Sequence, residues 1–214
     1  MLFTAGSKVL FIGDSITDCG RKPGGEGLFE ALGKGYVARV DALLQATYPQ
    51  LKLRVVNMGT GGHTVRDLKR RWQTDVLDQK PDFVSIMIGI NDVWRQFDTP
   101  FQSEWGVPVG EYGATLEELL VHTMPAVKGL VLMTPFYIEP NRKDAMRAQM
   151  DKYGAVVKKL AAKHGAILVD TQAAFADFLK VQHSSALAWD RVHPTETGHM
   201  ILARAFLNAV GYRW

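Results

Sequence analysis

Short apolar runs alternate with stretches of helical spacing along the whole chain, and this alternation constrains the fold more than any other feature. The runs are Val9–Ile12, Leu53–Asn57, Phe83–Gly89, Leu130–Thr134 and Ile167–Asp170. They are rich in Val, Ile and Leu at successive positions, so both faces of each strand are apolar, as in parallel strands covered by helices. Between and after them apolar residues recur at three- and four-residue intervals. The stripes are Tyr36, Val37, Val40, Leu43 and Leu44; Val65, Leu68, Trp72 and Val76; Leu116, Leu119 and Leu120; Met146, Met150, Tyr153, Val157 and Leu160; and Met200, Ala203, Leu207 and Val210. Thr115 with Glu118 three residues on reads as a capping box that opens the third helix. A repeating βα order with right-handed crossovers predicts an α/β three-layer αβα sandwich around a five-stranded parallel sheet.

The chain has 214 residues, 47% hydrophobic and 22% charged, with a net charge of +3. That size and balance predict one domain, residues 1–214, and exclude disorder. The densest basic cluster, Lys69-Arg70-Arg71, lies on an amphipathic stretch and reads as a solvated helix face, so no nucleic-acid partner is expected. The run Val9-Leu10-Phe11-Ile12 is too short for a membrane helix and lacks the features of a signal peptide. With Cys19 as the one cysteine, the expected location is cytoplasmic and no membrane partner is expected. Cys19 reads as a packed bystander in the helix that follows the first strand.

In parallel sheets of this kind function gathers at the C-terminal ends of the strands. There stand Gly13-Asp14-Ser15-Ile16-Thr17-Asp18, then Asn57-Met58-Gly59-Thr60-Gly61-Gly62-His63-Thr64, then Gly89-Ile90-Asn91-Asp92. Asp190-Arg191-Val192-His193-Pro194 precedes the last helix. Alone, each segment is compatible with a turn or a helix cap. Together they supply a nucleophile, a base, an orienting acid and oxyanion donors. No paired-His motif or Cys cluster accompanies them, so neither a metal nor a cofactor is expected.

These four blocks, in this order, resemble the SGNH (GDSL) hydrolase family, with its flavodoxin-like sandwich. The stretches Phe11–Arg21, Ser85–Gln96 and Ala186–Arg204 are similar to intracellular bacterial acetylxylan esterases of that family. The resemblance implies Ser15 as nucleophile, His193 as general base and Asp190 as its orienting acid. It also implies an oxyanion hole of the Ser15 and Gly62 backbone N–H groups and the Asn91 amide. Gly59 and Gly61 read as turn glycines. Asp14 and Asp92 are expected to lock turns by hydrogen bonds. His63 stands where the family usually carries Asn, Asp or Glu and is expected at the rim.

The stretch Val93–Tyr112 reads as a long loop whose aromatics Trp94, Phe97, Phe101, Trp105 and Tyr112 bind sugar or another subunit. Arg95 and Trp189 complete the expected substrate rim. The resemblance further implies removal of acetyl groups from xylo-oligosaccharides inside the cell, by a homo-oligomer of up to eight copies. The competing readings are a short-chain carboxylesterase or lysophospholipase of the same superfamily, and a non-catalytic flavodoxin-like binding module. The two acids of Gly13–Asp18, Asp14 and Asp18, would repel phosphate and disfavour a phosphate-binding loop in such a module.

Overall fold

The computed structural model describes the chain except Gly25, Leu28 and Phe29. The apolar runs become five parallel strands: β1 (Lys8–Gly13), β2 (Arg54–Gly59), β3 (Phe83–Met87), β4 (Gly129–Met133) and β5 (Ile167–Val169). They form one sheet in the order β2-β1-β3-β4-β5. The interior strand β1, flanked by β2 and β3, is buried along its whole length, which is why its sequence shows no polar alternation.

The helices are α1 (Ser15–Asp18), α2 (Tyr36–Thr47), α3 (Val65–Trp72), α4 (Ile90–Asp98), α5 (Val109–Thr123), α6 (Ala145–His164), α7 (Thr171–Ala174), α8 (Ala176–Leu179) and α9 (Glu196–Ala209). Right-handed crossovers place α2 on one face, because β1 to β2 runs one way across the sheet. They place α3, α5 and α6 on the other, because every later crossover runs back. The packing follows: α9 lies on α2, while α3 packs on α5 and α5 on α6. Phe11 of β1 packs edge-on against Tyr36 of α2 and at a tilt against Phe206 of α9, tying sheet to helices.

The direction of winding reverses between β1 and β3, so a crevice opens at their C-terminal ends. Ser15 and Asn91, at the starts of α1 and α4, both fall there. Gly13 aligns with Gly59 and with Met87 across the ladder, which brings the three loops level.

Two expectations fail at one place. The stretch 93–112 is not a long loop. Helix α4 occupies its first part, a short 3-10 turn spans Ser103–Trp105, and α5 begins at Val109. Gly89 adopts φ +131°, which lets the chain turn from β3 into α4 at once, and a side chain there would press on Pro135 and the Tyr112 hydroxyl. Tyr112 is buried, donating its hydroxyl to the Ile88 carbonyl, and is a core residue. Consequently Thr115 and Glu118 sit inside α5 and cap nothing; Pro108 marks the real start, with its fixed φ of −59°.

The Lys69-Arg70-Arg71 cluster is also only partly solvated. Arg70 faces solvent beside Asp67, but Arg71 turns inward. Its Nη2 donates to the Gly13 carbonyl at 2.9 Å and its Nη1 to the Met58 carbonyl at 2.7 Å. Among the described residues, no helix is long and apolar enough to cross a membrane.

Candidate active site

Ser15 is the first residue of α1, immediately after β1. Asp14 caps that helix: its Oδ1 accepts the Ile16 N–H at 3.0 Å. Burial drives the Asp14 carboxyl up to about 7, against the lowering effects of that hydrogen bond and of His193 and Arg71 nearby. The Ser15 N–H, at a helix start, has no acceptor one turn earlier in the helix.

The Ser15 Oγ lies 3.0 Å from His193 Nε2, although 178 residues separate them. On the other side of the ring, His193 Nδ1 lies 2.6 Å from Asp190 Oδ2. Asp190 Oδ1 accepts the backbone N–H groups of Val192 and His193, folding the segment into a tight turn. Arg191 takes φ +62° within it. Partial burial works to raise the Asp190 carboxyl, but the bonds from His193 and Val192 hold it below the usual carboxylate range. Trp94 packs edge-on against the His193 ring, with centroids 5.8 Å apart, and Arg95 lies over the Trp94 face.

Asn91 is buried in the first turn of α4, and its Nδ2 donates to the His63 carbonyl at 2.9 Å. One amide hydrogen is thereby spent and the other remains for a ligand. Gly62 adopts φ +78°, a left-handed conformation that favours glycine. Gly61 runs beside Ser15: a side chain there would come within 3.9 Å of Ser15 Cβ. Gly59, by contrast, is no turn residue. It ends β2 and presses on α1, where a Cβ would lie 2.1 Å from the Asp18 nitrogen.

His63 sits beside the crevice; burial first, then the Arg71 charge, holds its imidazole pKa low. Asp92 lies behind Asn91, fully buried. Its Oδ1 accepts the Val65 N–H at 3.0 Å, fastening the start of α3 to α4, and its Oδ2 has no partner. Burial, reinforced by the charges of Asp14 and Asp67, pushes the Asp92 carboxyl up to about 7. Trp189 stands 91% exposed. Among the described residues, no group of three or more His, Cys, Asp or Glu side chains gathers in a metal-holding arrangement.

Three supporting residues escaped the sequence reading. Arg71 clamps the ends of β1 and β2, and Asn57 donates to the Thr17 and Leu32 carbonyls beneath α1. Cys19 ends α1 in a left-handed conformation and has a partner after all: its Sγ lies 3.3 Å from His199 Nε2. A basic residue between apolar stripe positions 68 and 72 was the available signal for Arg71. No local signal pairs Cys19 with His199.

Residues 11–201 match the GDSL-like lipase/acylhydrolase family model. The chain is 62% identical to an acetylxylan esterase from Geobacillus stearothermophilus, over 100% of this chain and 98% of that one. The crystal structure of that enzyme, Axe2, superposes with a TM-score of 0.98. Three of its solved variants, called catalytic mutants, replace a serine, an aspartate and a histidine by alanine. LAE5, an alpha/beta hydrolase enzyme from the metagenome of Lake Arreo, is 56% identical over 99% of this chain and 98% of its own, with a TM-score of 0.97. With a serine at the head of α1 bonded to His193, and with the family match covering most of the sequence, the chain belongs to the GDSL-like lipase/acylhydrolase family.

Proposed function

We propose that this protein is a serine esterase that removes acetyl groups from acetylated xylo-oligosaccharides, with residues 1–214 as one catalytic unit. The observation that carries the chemistry is the relay Ser15 Oγ to His193 Nε2, and His193 Nδ1 to Asp190 Oδ2. His193 takes the proton as Ser15 Oγ attacks the ester carbonyl, then gives it to the departing sugar oxygen. Asp190 holds the tautomer that leaves Nε2 free to accept, and stabilises the imidazolium that forms. The oxyanion of the tetrahedral intermediate is received by the Ser15 and Gly62 N–H groups and the second Asn91 amide hydrogen. Acetyl-Ser15 forms as the alcohol leaves. Water, deprotonated by His193, then releases acetate and restores the hydroxyl.

The substrate class rests on the full-length likeness to the Geobacillus acetylxylan esterase. The test is deacetylation of fully acetylated xylobiose followed by NMR, beside an acyl-chain series of p-nitrophenyl esters. Acetate release from the sugar and preference for acetyl over octanoyl support the proposal. Preference for octanoyl would instead favour the lysophospholipase reading, and hydrolysis of simple short-chain esters without acetate release from the sugar the short-chain carboxylesterase reading.

We also propose that it acts in the cytoplasm on imported oligomers and self-associates, up to eight copies. Trp189 and Trp214, 91% and 61% exposed, present apolar area suited to contact between copies. Light scattering behind gel filtration gives the state directly; a monomer at all concentrations overturns this part.

A further inference from the structure

A cleft of about 610 Å³ opens beside the candidate oxyanion position, with Gly62 on its wall. Clefts of this size hold ligands well beyond an acetyl group. The other walls come from α3, α4 and the 3-10 turn Ser103–Trp105, and the side chains that matter are Arg66, Arg70, Arg95, Glu104 and Trp105.

Charge decides what class of ligand suits it. Each guanidinium already has its own carboxylate: Arg66 with Glu111, Arg70 with Asp67 and Arg95 with Asp98. Among the described residues the Glu104 carboxylate makes no ion pair, and Arg66 holds only its backbone carbonyl. The wall is therefore not a cationic anchor for phosphate or another anion. Nor is it an acyl tunnel, since its lining is mostly charged.

It does combine one flat aromatic face, Trp105 at 50% exposure, with donors on Arg70 and Arg95 and an acceptor on Glu104. Apolar ring faces with alternating donor and acceptor hydroxyls at the edge are the chemistry of a neutral sugar. The path to the reacting atoms is continuous: Arg95 lies over Trp94, and Trp94 lies against His193, which must reach the leaving oxygen.

We propose that this cleft is the subsite for the glycosyl part of the leaving alcohol, with Trp105 as the stacking platform and Glu104 as the hydroxyl acceptor. This rests on the reading of the protein as a sugar O-acetylesterase. It adds where the sugar lies and which residues read it.

The test compares kcat/KM for acetylated xylobiose and for p-nitrophenyl acetate in the wild type and in Trp105→Ala, Trp105→Phe and Glu104→Gln. Trp105→Ala is expected to lower the ratio of the two at least 10-fold, chiefly through KM for the sugar ester. Trp105→Phe restores most of it, and Glu104→Gln lowers it several-fold. Saturation-transfer NMR of unacetylated xylobiose should show ring protons contacting the wild type and losing contact in Trp105→Ala. An unchanged ratio, or an equal fall for both esters, overturns the subsite. A wild type that hydrolyses p-nitrophenyl acetate but not the sugar ester overturns the sugar reading itself.

Discussion

The side-chain amide of Asn91 donates to the backbone carbonyl of His63 at 2.9 Å, joining the loop after β2 to the helix after β3. This bond fixes the amide plane before any substrate arrives, so in the proposed oxyanion hole the second hydrogen costs no reorganisation when charge develops. Asn91→Ala removes both the donor and the tie. Loss of one oxyanion donor typically lowers kcat by about 10²–10³. The expected outcome is a fall of at least that size with a small change in KM, read from steady-state kinetics on p-nitrophenyl acetate. A variant within about threefold of wild type would remove Asn91 from the oxyanion hole.

Ser15→Ala and His193→Ala should each abolish nearly all turnover, about 10⁶ in kcat by analogy with other serine hydrolases. Asp190→Asn, which keeps the shape but loses the charge opposite Nδ1, should cost about 10⁴. The double variant Ser15→Ala with His193→Ala should be no slower than either single one, because the two act as a unit. Fluorophosphonate labelling of wild type and not of Ser15→Ala checks the nucleophile independently. Multiplicative losses in the double variant would mean that the 3.0 Å contact is not the working one.

The strands and the candidate triad were legible because they obey short rules. β1 is buried along its whole length, and its Val9–Ile12 stretch reads as an unbroken apolar run. Asp190 and His193 lie three residues apart and close their own turn. What escaped depends on distant partners. Arg71 looks like one of three surface cations until the Gly13 and Met58 carbonyls, 58 and 13 residues away, draw it inward. Cys19 looks solitary until α9 folds across it. The capping pattern at Thr115 points to a helix start that coincides with the interior of α5, where tertiary packing of Tyr112 overrides it.

His199 gives a pH-dependent prediction. Its Nδ1 accepts the Tyr36 N–H at 3.2 Å, so in the neutral ring Nε2 carries the hydrogen and donates it to Cys19 Sγ. Burial, with Arg39 nearby, lowers its pKa to about 4. An unfolded histidine titrates near 6.5. Between about pH 6.5 and 4 the unfolded chain therefore takes up a proton that the folded chain refuses, and stability falls as pH falls. His199→Gln should lose about 1–3 kcal/mol at pH 8 with the buried hydrogen bonds. It should also show a shallower decline between pH 6.5 and 4. Urea unfolding across that range reads both; an unaltered slope would mean that His199 is protonated in the fold.

Asp92 works in the opposite direction over nearly the same range. Its carboxyl is raised to about 7 in the fold, against an unfolded value near 3.9. As pH rises from about 4 to 7 the unfolded chain releases a proton that the folded chain keeps, so the unfolded state binds fewer protons and stability falls. The physical reason is the buried Oδ2, which has no partner and tolerates a proton better than a charge. Asp92→Asn keeps the acceptor for the Val65 N–H and removes the titration. Relative to wild type, the variant should gain roughly 1 kcal/mol per pH unit between pH 5 and 7, the gain flattening as pH nears 7. Asp14, raised to about 7 by its own burial, leaves a residual slope of the same sign in the variant. Urea unfolding at pH 5 and pH 7 measures the difference directly. If the two proteins keep a constant gap across that interval, Asp92 is ionised in the fold and its unpartnered oxygen must be reached by water.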